Sequence, residues 1–289
     1  MNKTKVAIIG TGNIGTDLLL KIQRNELLEC TLFTGRNFSS KGMLLAEELG
    51  VNISDRSIEA IVENPSICDI VIDATSAAVH KVNAPILKRL GKFTIDLTPS
   101  QIGEMCIPVI NSNECLSFDN INMITCGGQA IVPIAHAISK VCDKIKYFEI
   151  VSSISSKSAG PGTRDNIDEF TQTTKRALLK FTNAENAKVI IILNPAEPPI
   201  LMHNTLYAII ENPDIDKIKQ SVNDMVDRLK SYVPGYKLWV EPTLEKGRLV
   251  TMIKVEGLGD YLPPYSGNLD IITSAAIQMA ENYSKFKNK

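Results

Sequence analysis

Short apolar runs alternate with helix-spaced stretches through the first half of this chain. Lys5–Ile9 is such a run and ends at Gly10. Asn13–Arg24 follows, with Ile14, Leu18, Leu19 and Ile22 at the three-and-four spacing of a helix. Thr31–Thr34, Ile70–Asp73, Phe93–Leu97, Val109–Ile110 and Met123–Thr125 read as further short strands, with helices over Ser57–Glu63 and Val79–Leu90 among them. Strands apolar on both faces, alternating with helices, predict a doubly wound parallel sheet covered on both sides, an α/β architecture.

The rhythm changes after about Lys146. Tyr147–Ser155, Lys188–Leu193, Thr205–Ile210, Tyr236–Glu241 and Leu249–Glu256 read as longer strands. Helices are expected over Gln129–Val141, Arg164–Phe181 and Asp214–Tyr232. In the last of these Ile215, Ile218, Val222, Met225, Val226 and Leu229 form one stripe. This half predicts an α+β domain, a sheet with helices on one face. The expected division is a dinucleotide-binding domain over 1–125, a catalytic and oligomerisation domain over 126–267, and a closing helix, 268–289, packed back on the first.

The glycines carry the first chemistry. Gly10-Thr11-Gly12-Asn13-Ile14-Gly15 fits G-x-G-x-x-G and stands between an expected strand and an expected helix, the context that motif requires. Gly10 suits a tight turn, Gly12 a close backbone approach to a pyrophosphate, and Gly15 close packing of helix on strand. Phosphate would rest on the helix N-terminus. An acid about 20 residues further on would mark NAD, but Thr34-Gly35-Arg36-Asn37-Phe38-Ser39-Ser40-Lys41 has none. Arg36 and Lys41, with the serine hydroxyls, suit a 2′-phosphate, so both NAD and NADP are kept as cofactors.

Cys126 carries the second. It precedes Gly127-Gly128 at an expected helix start, where the partial positive charge favours a thiolate, the nucleophilic form. Ser152–Arg164 is a small-residue, donor-rich stretch suited to anion or cofactor contact. Of the three histidines, His136 falls inside a helix and His80 near a helix start. His203 follows the turn-rich Asn194–Pro199 and is the one considered near chemistry.

Composition then removes other classes. The chain has 289 residues, with 44% hydrophobic, 22% charged and a net charge of −1, so no global field draws it to nucleic acid or to a membrane surface. No apolar run reaches the roughly 20 residues of a membrane helix, and no signal segment precedes the first strand. A cytoplasmic location is expected. The six cysteines show no metal spacing and are expected as free thiols, and no metal site is expected.

Thr125-Cys126-Gly127-Gly128-Gln129-Ala130, Ile154–Arg164 with Asn166-Ile167-Asp168-Glu169-Phe170, Asn194–Pro199, Tyr261-Leu262-Pro263 and Gly267-Asn268-Leu269-Asp270 together resemble CoA-acylating acetaldehyde dehydrogenase. That family is the partner of 4-hydroxy-2-oxovalerate aldolase in aromatic meta-cleavage pathways. The resemblance spans almost the whole chain. It implies a fold like that of glyceraldehyde-3-phosphate dehydrogenase, a homo-oligomer, a small aldehyde and coenzyme A as substrates, and possible association with such an aldolase subunit. Cys126 then matches the thioester nucleophile, and Thr11, Gly12, Asn13 and Ile14 match the cofactor turn. Ser158, Ala159, Gly160, Pro161, Gly162, Thr163, Arg164, Asp165 and Asn166 match a second cofactor segment, and Asn268 a residue near the nicotinamide. Backbone donors near Cys126, with Asn166, would stabilise an oxyanion. Where the family commonly has Met-Arg-Asp-Thr, this chain has Met202-His203-Asn204-Thr205, and Asn204 and His203 are both candidates for the catalytic site. The stretch between Trp239 and Met252 is shorter than in the family. A semialdehyde or phosphorylating dehydrogenase, with Arg164 or Arg248 as anion partner, and a non-catalytic cofactor-binding partner remain as alternatives.

Overall fold

The computed structural model describes residues 3–160, 164 and 167–288. Two compact units are present. The first comprises Met1–Met123, Asp260–Leu262 and Thr273–Lys289, and the second Ile124–Gly259 and Pro263–Ile272.

In chain order the first unit runs β1 (Thr4–Ile9), α1 (Asn13–Gln23), β2 (Leu28–Thr34), α2 (Lys41–Glu48), β3 (Ile53–Ser54), α3 (Glu59–Glu63), β4 (Ile70–Asp73), α4 (Ala77–Arg89), β5 (Phe93–Asp96), β6 (Glu104–Met105), α5 (Pro108–Cys115) and β7 (Asn120–Asn122). The sheet order is β3-β2-β1-β4-β5-β7-β6, with every pairing parallel. The order reverses direction between β1 and β4, which makes the carboxyl ends of those strands the crevice where doubly wound sheets bind dinucleotides. β4 and β5 are buried at every position, including the aspartates that end them. Ala7, Ile9, Leu32, Ile61, Val71 and Leu87 form the core of one face. Val109–Ile110, expected as strand, lies in α5. Pro108 sits at the helix start, where its missing N–H costs nothing.

The second unit contains α6 (Cys126–Ser139), β8 (Ile145–Ser155), α7 (Ile167–Phe181), β9 (Ala184–Asn194), β10 (Met202–Ile210), α8 (Ile215–Lys230), β11 (Tyr236–Glu245) and β12 (Arg248–Val255). Its sheet runs β11-β12-β10-β8-β9, antiparallel except for the β8–β9 pair. Lys246 and Gly247, both at positive φ, close the β11–β12 hairpin in two residues. The stripe on α8 is buried from Ile218 to Leu229, and Ser221 Oγ ties that helix to α6 by donating to Ala137 O at 2.8 Å. Tyr236 Oη donates to Ala130 O at 2.6 Å and ties β11 to the same helix.

The last helix, α9 (Gly267–Lys287), contributes its first residues to the second unit and the rest to the first. Within the first unit Tyr283 stacks on Phe93 at 4.2 Å, and Thr4 and Ser284 share a hydrogen bond of 2.7 Å. No helix among the described residues is long and apolar enough to cross a membrane.

Candidate active site

The glycine turn lies at the carboxyl end of β1, and each glycine has its own reason. Gly10 has φ +113°, and a Cβ there would stand 2.5 Å from Ala74 O. A Cβ on Gly15 would stand 1.8 Å from Gly10 O. Gly12 differs. It caps α1 at φ −80°, with nothing within 4 Å of an added Cβ and no side chain capping the helix. The first amides of α1 thus face open space across a residue without a side chain. That arrangement fits a pyrophosphate.

The ribose-side loop is pinned to this turn. Ser40 Oγ donates to Thr11 Oγ1 at 3.0 Å and accepts from the Met43 N–H at 3.3 Å, capping α2. Ser39 Oγ donates to Asn37 Oδ1 at 3.0 Å. Both hydroxyl protons are therefore engaged, and help from the serines toward a 2′-phosphate falls away. Arg36 and Lys41 are exposed and show no ion pair among the described residues.

In the second unit the chain enters α6 through Ile124, a β-branched residue at φ +63°. Backbone strain of this kind costs about 1–3 kcal/mol and gathers at functional sites. Thr125 caps the helix by accepting from the Gly128 N–H at 2.9 Å. Thr174 Oγ1 donates to Phe170 O, so Thr125 Oγ1 is the donor in the 2.7 Å bond between the two threonines. Cys126 is the first residue of α6. Gly127 is dictated by packing, since a Cβ would stand 2.8 Å from Phe170 Cζ and 3.0 Å from Ser152 Oγ.

Cys126 is part-exposed and the other five cysteines are buried. Its acidity departs from the helix-start expectation. Burial pushes the thiol up to about 12, against the lowering effect of the Gly127 amide and its own. Two backbone donors do not offset the loss of water around sulfur, and no cation among the described residues acts on it. The resting group is a thiol, and selective labelling of Cys126 has to come from access, not acidity.

Beneath the helix start lies a polar floor. Ser152 on β8 faces Asn204 on β10 across the antiparallel ladder. Ser152 Oγ and both polar atoms of the Asn204 side chain are buried with no hydrogen-bond partner among the described residues, and Asn204 is 0% exposed. Buried polar atoms in native proteins are bonded, so these three call for a ligand or solvent. Sequence reasoning places Ser152 in the Tyr147–Ser155 strand and in the donor-rich Ser152–Arg164 stretch, without pairing it with Asn204. Its place on the α6-facing side of a strand follows only from the sheet register.

His203 is not part of that floor. Successive strand residues point to opposite faces, so His203 turns away from Asn204. It lines a cavity of about 400 Å³ with Ile200, Leu201, Trp239, Met252 and Lys254. The candidate pair is therefore split by the sheet. His136 is structural, its Nδ1 lying 2.6 Å from Phe181 O.

The small-residue segment is braced from within. Ser158 Oγ donates to Ser155 O at 2.9 Å, and Arg164 donates to Ala159 O at 3.1 Å and Ser156 O at 2.7 Å. Asn268 Nδ2 donates to Ser158 O at 3.4 Å, while its buried Oδ1 has no partner among the described residues. Gly160 has open space where a Cβ would stand. Pro161, Gly162, Thr163, Asp165 and Asn166 lie outside the described residues.

Residues 5–114 match the family model described as semialdehyde dehydrogenase, NAD binding domain. Residues 126–263 match the one described as prokaryotic acetaldehyde dehydrogenase, dimerisation. An acetaldehyde dehydrogenase of Pectobacterium atrosepticum is 56% identical over 287 residues, covering 99% of this chain and 97% of its own length. The chain belongs to the acetaldehyde dehydrogenase family. Another relative of that name, from Geobacillus stearothermophilus, is 50% identical over 289 residues, covering 99% of this chain and 98% of its own. The crystal structure of aspartate semialdehyde dehydrogenase II from Vibrio cholerae, complexed with ASA, superposes with a TM-score of 0.64 at 15% identity. It covers 97% of this chain and 98% of its own, and shows the shared fold. This acetaldehyde dehydrogenase family member is thus an oxidoreductase whose glycine turn lies within an NAD-binding domain and whose Cys126 opens the second match.

Proposed function

We propose that the chain is a CoA-acylating aldehyde dehydrogenase, converting acetaldehyde or another short aldehyde, CoA and NAD(P)+ to acyl-CoA and NAD(P)H. The observation that carries this is the part-exposed Cys126 at a capped helix start above buried, unpartnered polar atoms. Gly12 and the first amides of α1 would hold the pyrophosphate, and Ser158 and Asn268 are assigned to the cofactor as well. A bound nicotinamide supplies the hydride acceptor. Cys126 sulfur attacks the aldehyde carbon, and its proton passes to solvent as the carbon–sulfur bond forms and the carbonyl oxygen takes up the negative charge. The Cys126 and Gly127 amides, which donate to the sulfur, would turn to the developing oxyanion beside it. The thioester left after oxidation passes its acyl group to the CoA thiol.

The phosphorylating and semialdehyde alternatives need an arginine free to hold an anion. Arg164 braces its own loop, and Arg248 lies beside Tyr147, Glu149 and Tyr207 on the open sheet face. Formation of NADH or NADPH from acetaldehyde that depends on CoA, and not on phosphate, tests the reading. A phosphate-dependent or absent signal overturns it. The protein is assigned as a homo-oligomer, with a second copy on that open face, where Trp239 is 58% and Ile209 42% exposed.

NADP is expected to serve at least as well as NAD. Arg36→Ala should raise the Michaelis constant for NADP by about tenfold, as loss of one charge-assisted contact does, and leave that for NAD nearly unchanged. Equal changes in steady-state titrations would show that Arg36 points elsewhere.

The floor under Cys126 suggests how the acyl group leaves. Asn204 cannot take a proton from CoA, so breakdown of the thioester should be slow in this chain. A carboxyl in the same buried place would have its pKa raised toward neutrality and act as a base. Asn204→Asp should speed single-turnover transfer to CoA by about tenfold or more, increasingly at higher pH. His203→Ala, on the far face, should leave it alone. The reverse pattern would move the base to His203.

A further inference from the structure

At the carboxyl ends of β4 and β5 one buried imidazole joins two carboxylates. His80 Nδ1 lies 2.9 Å from Asp73 Oδ2, which also accepts from Asn83 Nδ2 at 3.0 Å. His80 Nε2 lies 2.9 Å from Asn120 Nδ2 and 3.5 Å from Asp96 Oδ2. His80, Asp73 and Asp96 are 0% exposed. Each carboxylate shapes the loop after its own strand. Asp73 Oδ1 accepts from the Thr75 N–H at 3.1 Å, and Ala74 O is the atom that Gly10 must accommodate. Asp96 accepts from the Thr98 N–H at 2.7 Å, Ser100 Oγ at 2.6 Å and Asn122 Nδ2 at 2.8 Å. The first of these loops packs on the glycine turn, and both lie where a dinucleotide crosses the sheet.

We propose that His80 is a positioning residue for the dinucleotide, its ring locking the loops after β4 and β5 together, and doing so fully only when both ring nitrogens carry protons. A neutral ring has one donor. With Nδ1–H given to Asp73, Nε2 accepts from Asn120 and has no hold on Asp96. A charged ring donates on both sides. Asn120 Oδ1 is buried without a partner among the described residues, and a turn of that amide presents it to the protonated Nε2. The charged groups facing His80 are Asp73 from β4 and Asp96 from β5. Asn83 from α4 and Asn120 from β7 are neutral.

The titration agrees in sign. Burial pushes the His80 pKa down, but the Asp73 hydrogen bond and the charges of Asp96 and Asp73 outweigh it and hold it above the ordinary histidine value. The lock is then complete below that ordinary value and is lost as pH rises through the raised one. By linkage, a cofactor that prefers the locked loops must raise the His80 pKa further when it binds.

The test uses NAD alone, with neither aldehyde nor CoA, so it stands apart from the acyl-transfer reading. The three histidines are labelled with carbon-13, His80 is assigned by its loss in His80→Gln, and pH is titrated with and without NAD. The expected result is a His80 pKa that moves upward with NAD while that of His136 does not. Calorimetry should show NAD binding about tenfold weaker in His80→Gln at neutral pH, the size of one lost net hydrogen bond, with the pH dependence of the parent removed. A His80 titration unmoved by NAD, or a folded His80→Gln that binds NAD like the parent at every pH, overturns the proposal. If His80→Gln does not fold, His80→Asn supplies the assignment and the shift in the parent decides.

Discussion

Cys126→Ser should lower turnover by more than about a thousandfold while leaving cofactor affinity nearly intact, because removal of a nucleophile abolishes the covalent path without touching the binding turn. A hydroxyl in the same place is a far poorer nucleophile at neutral pH. Steady-state rates and a cofactor titration on the same preparation check both halves. Activity above about one per cent of the parent would remove Cys126 from the chemistry. The raised thiol pKa adds a sign. With the group at about 12, its thiolate fraction grows about tenfold per pH unit through the neutral and alkaline range. Alkylation of Cys126 by iodoacetamide in the cofactor-free protein should follow that slope without a plateau below pH 10 or so. A plateau near pH 7 would show a cation or base beside the sulfur.

The second large effect separates two glycines of one turn. Gly15→Ala should destabilise the first unit by about 1–3 kcal/mol or more and lower the melting temperature by several degrees, since its Cβ must displace backbone. Gly12→Ala meets nothing in the protein, has an ordinary φ, and should leave the melting temperature unchanged. It should nonetheless weaken NAD binding by about tenfold or more, because the methyl fills the space a pyrophosphate approaches. Thermal unfolding and calorimetry on both variants give the comparison. A Gly12→Ala protein that binds NAD normally would mean that the open space at α1 is not the phosphate site.

The two sheets were readable because each strand type has its own pattern. Ile70–Ile72 is unbroken apolar and Phe93–Ile95 nearly so, as strands covered on both faces are, while Met202–Ile210 mixes buried and open positions. Val109–Ile110 was misread because two apolar residues carry no period, and Pro108 before them was the better signal. Cys126 at a helix start follows from Thr125 and the two glycines, which are local features. Its acidity does not, because desolvation depends on what the fold packs around the sulfur, which no local pattern shows. The same holds for His203 and Asn204. Adjacent in sequence, they are separated by the sheet, a division that only strand assignment reveals. The Asp73–His80–Asp96 network escaped for a similar reason. Asp73 closes one expected strand and Asp96 lies within another, Phe93–Leu97, but nothing local shows that one imidazole meets both.

The most direct test of the thioester account is to incubate the enzyme with acetyl-CoA in the absence of nicotinamide cofactor, quench in acid, and map the peptides by mass spectrometry. One acetyl group on the peptide containing Cys126, released by hydroxylamine and missing from Cys126→Ser, is the result expected. An enzyme active in CoA-dependent NADH formation that carries no acetyl group, or carries it on another residue, would contradict the account.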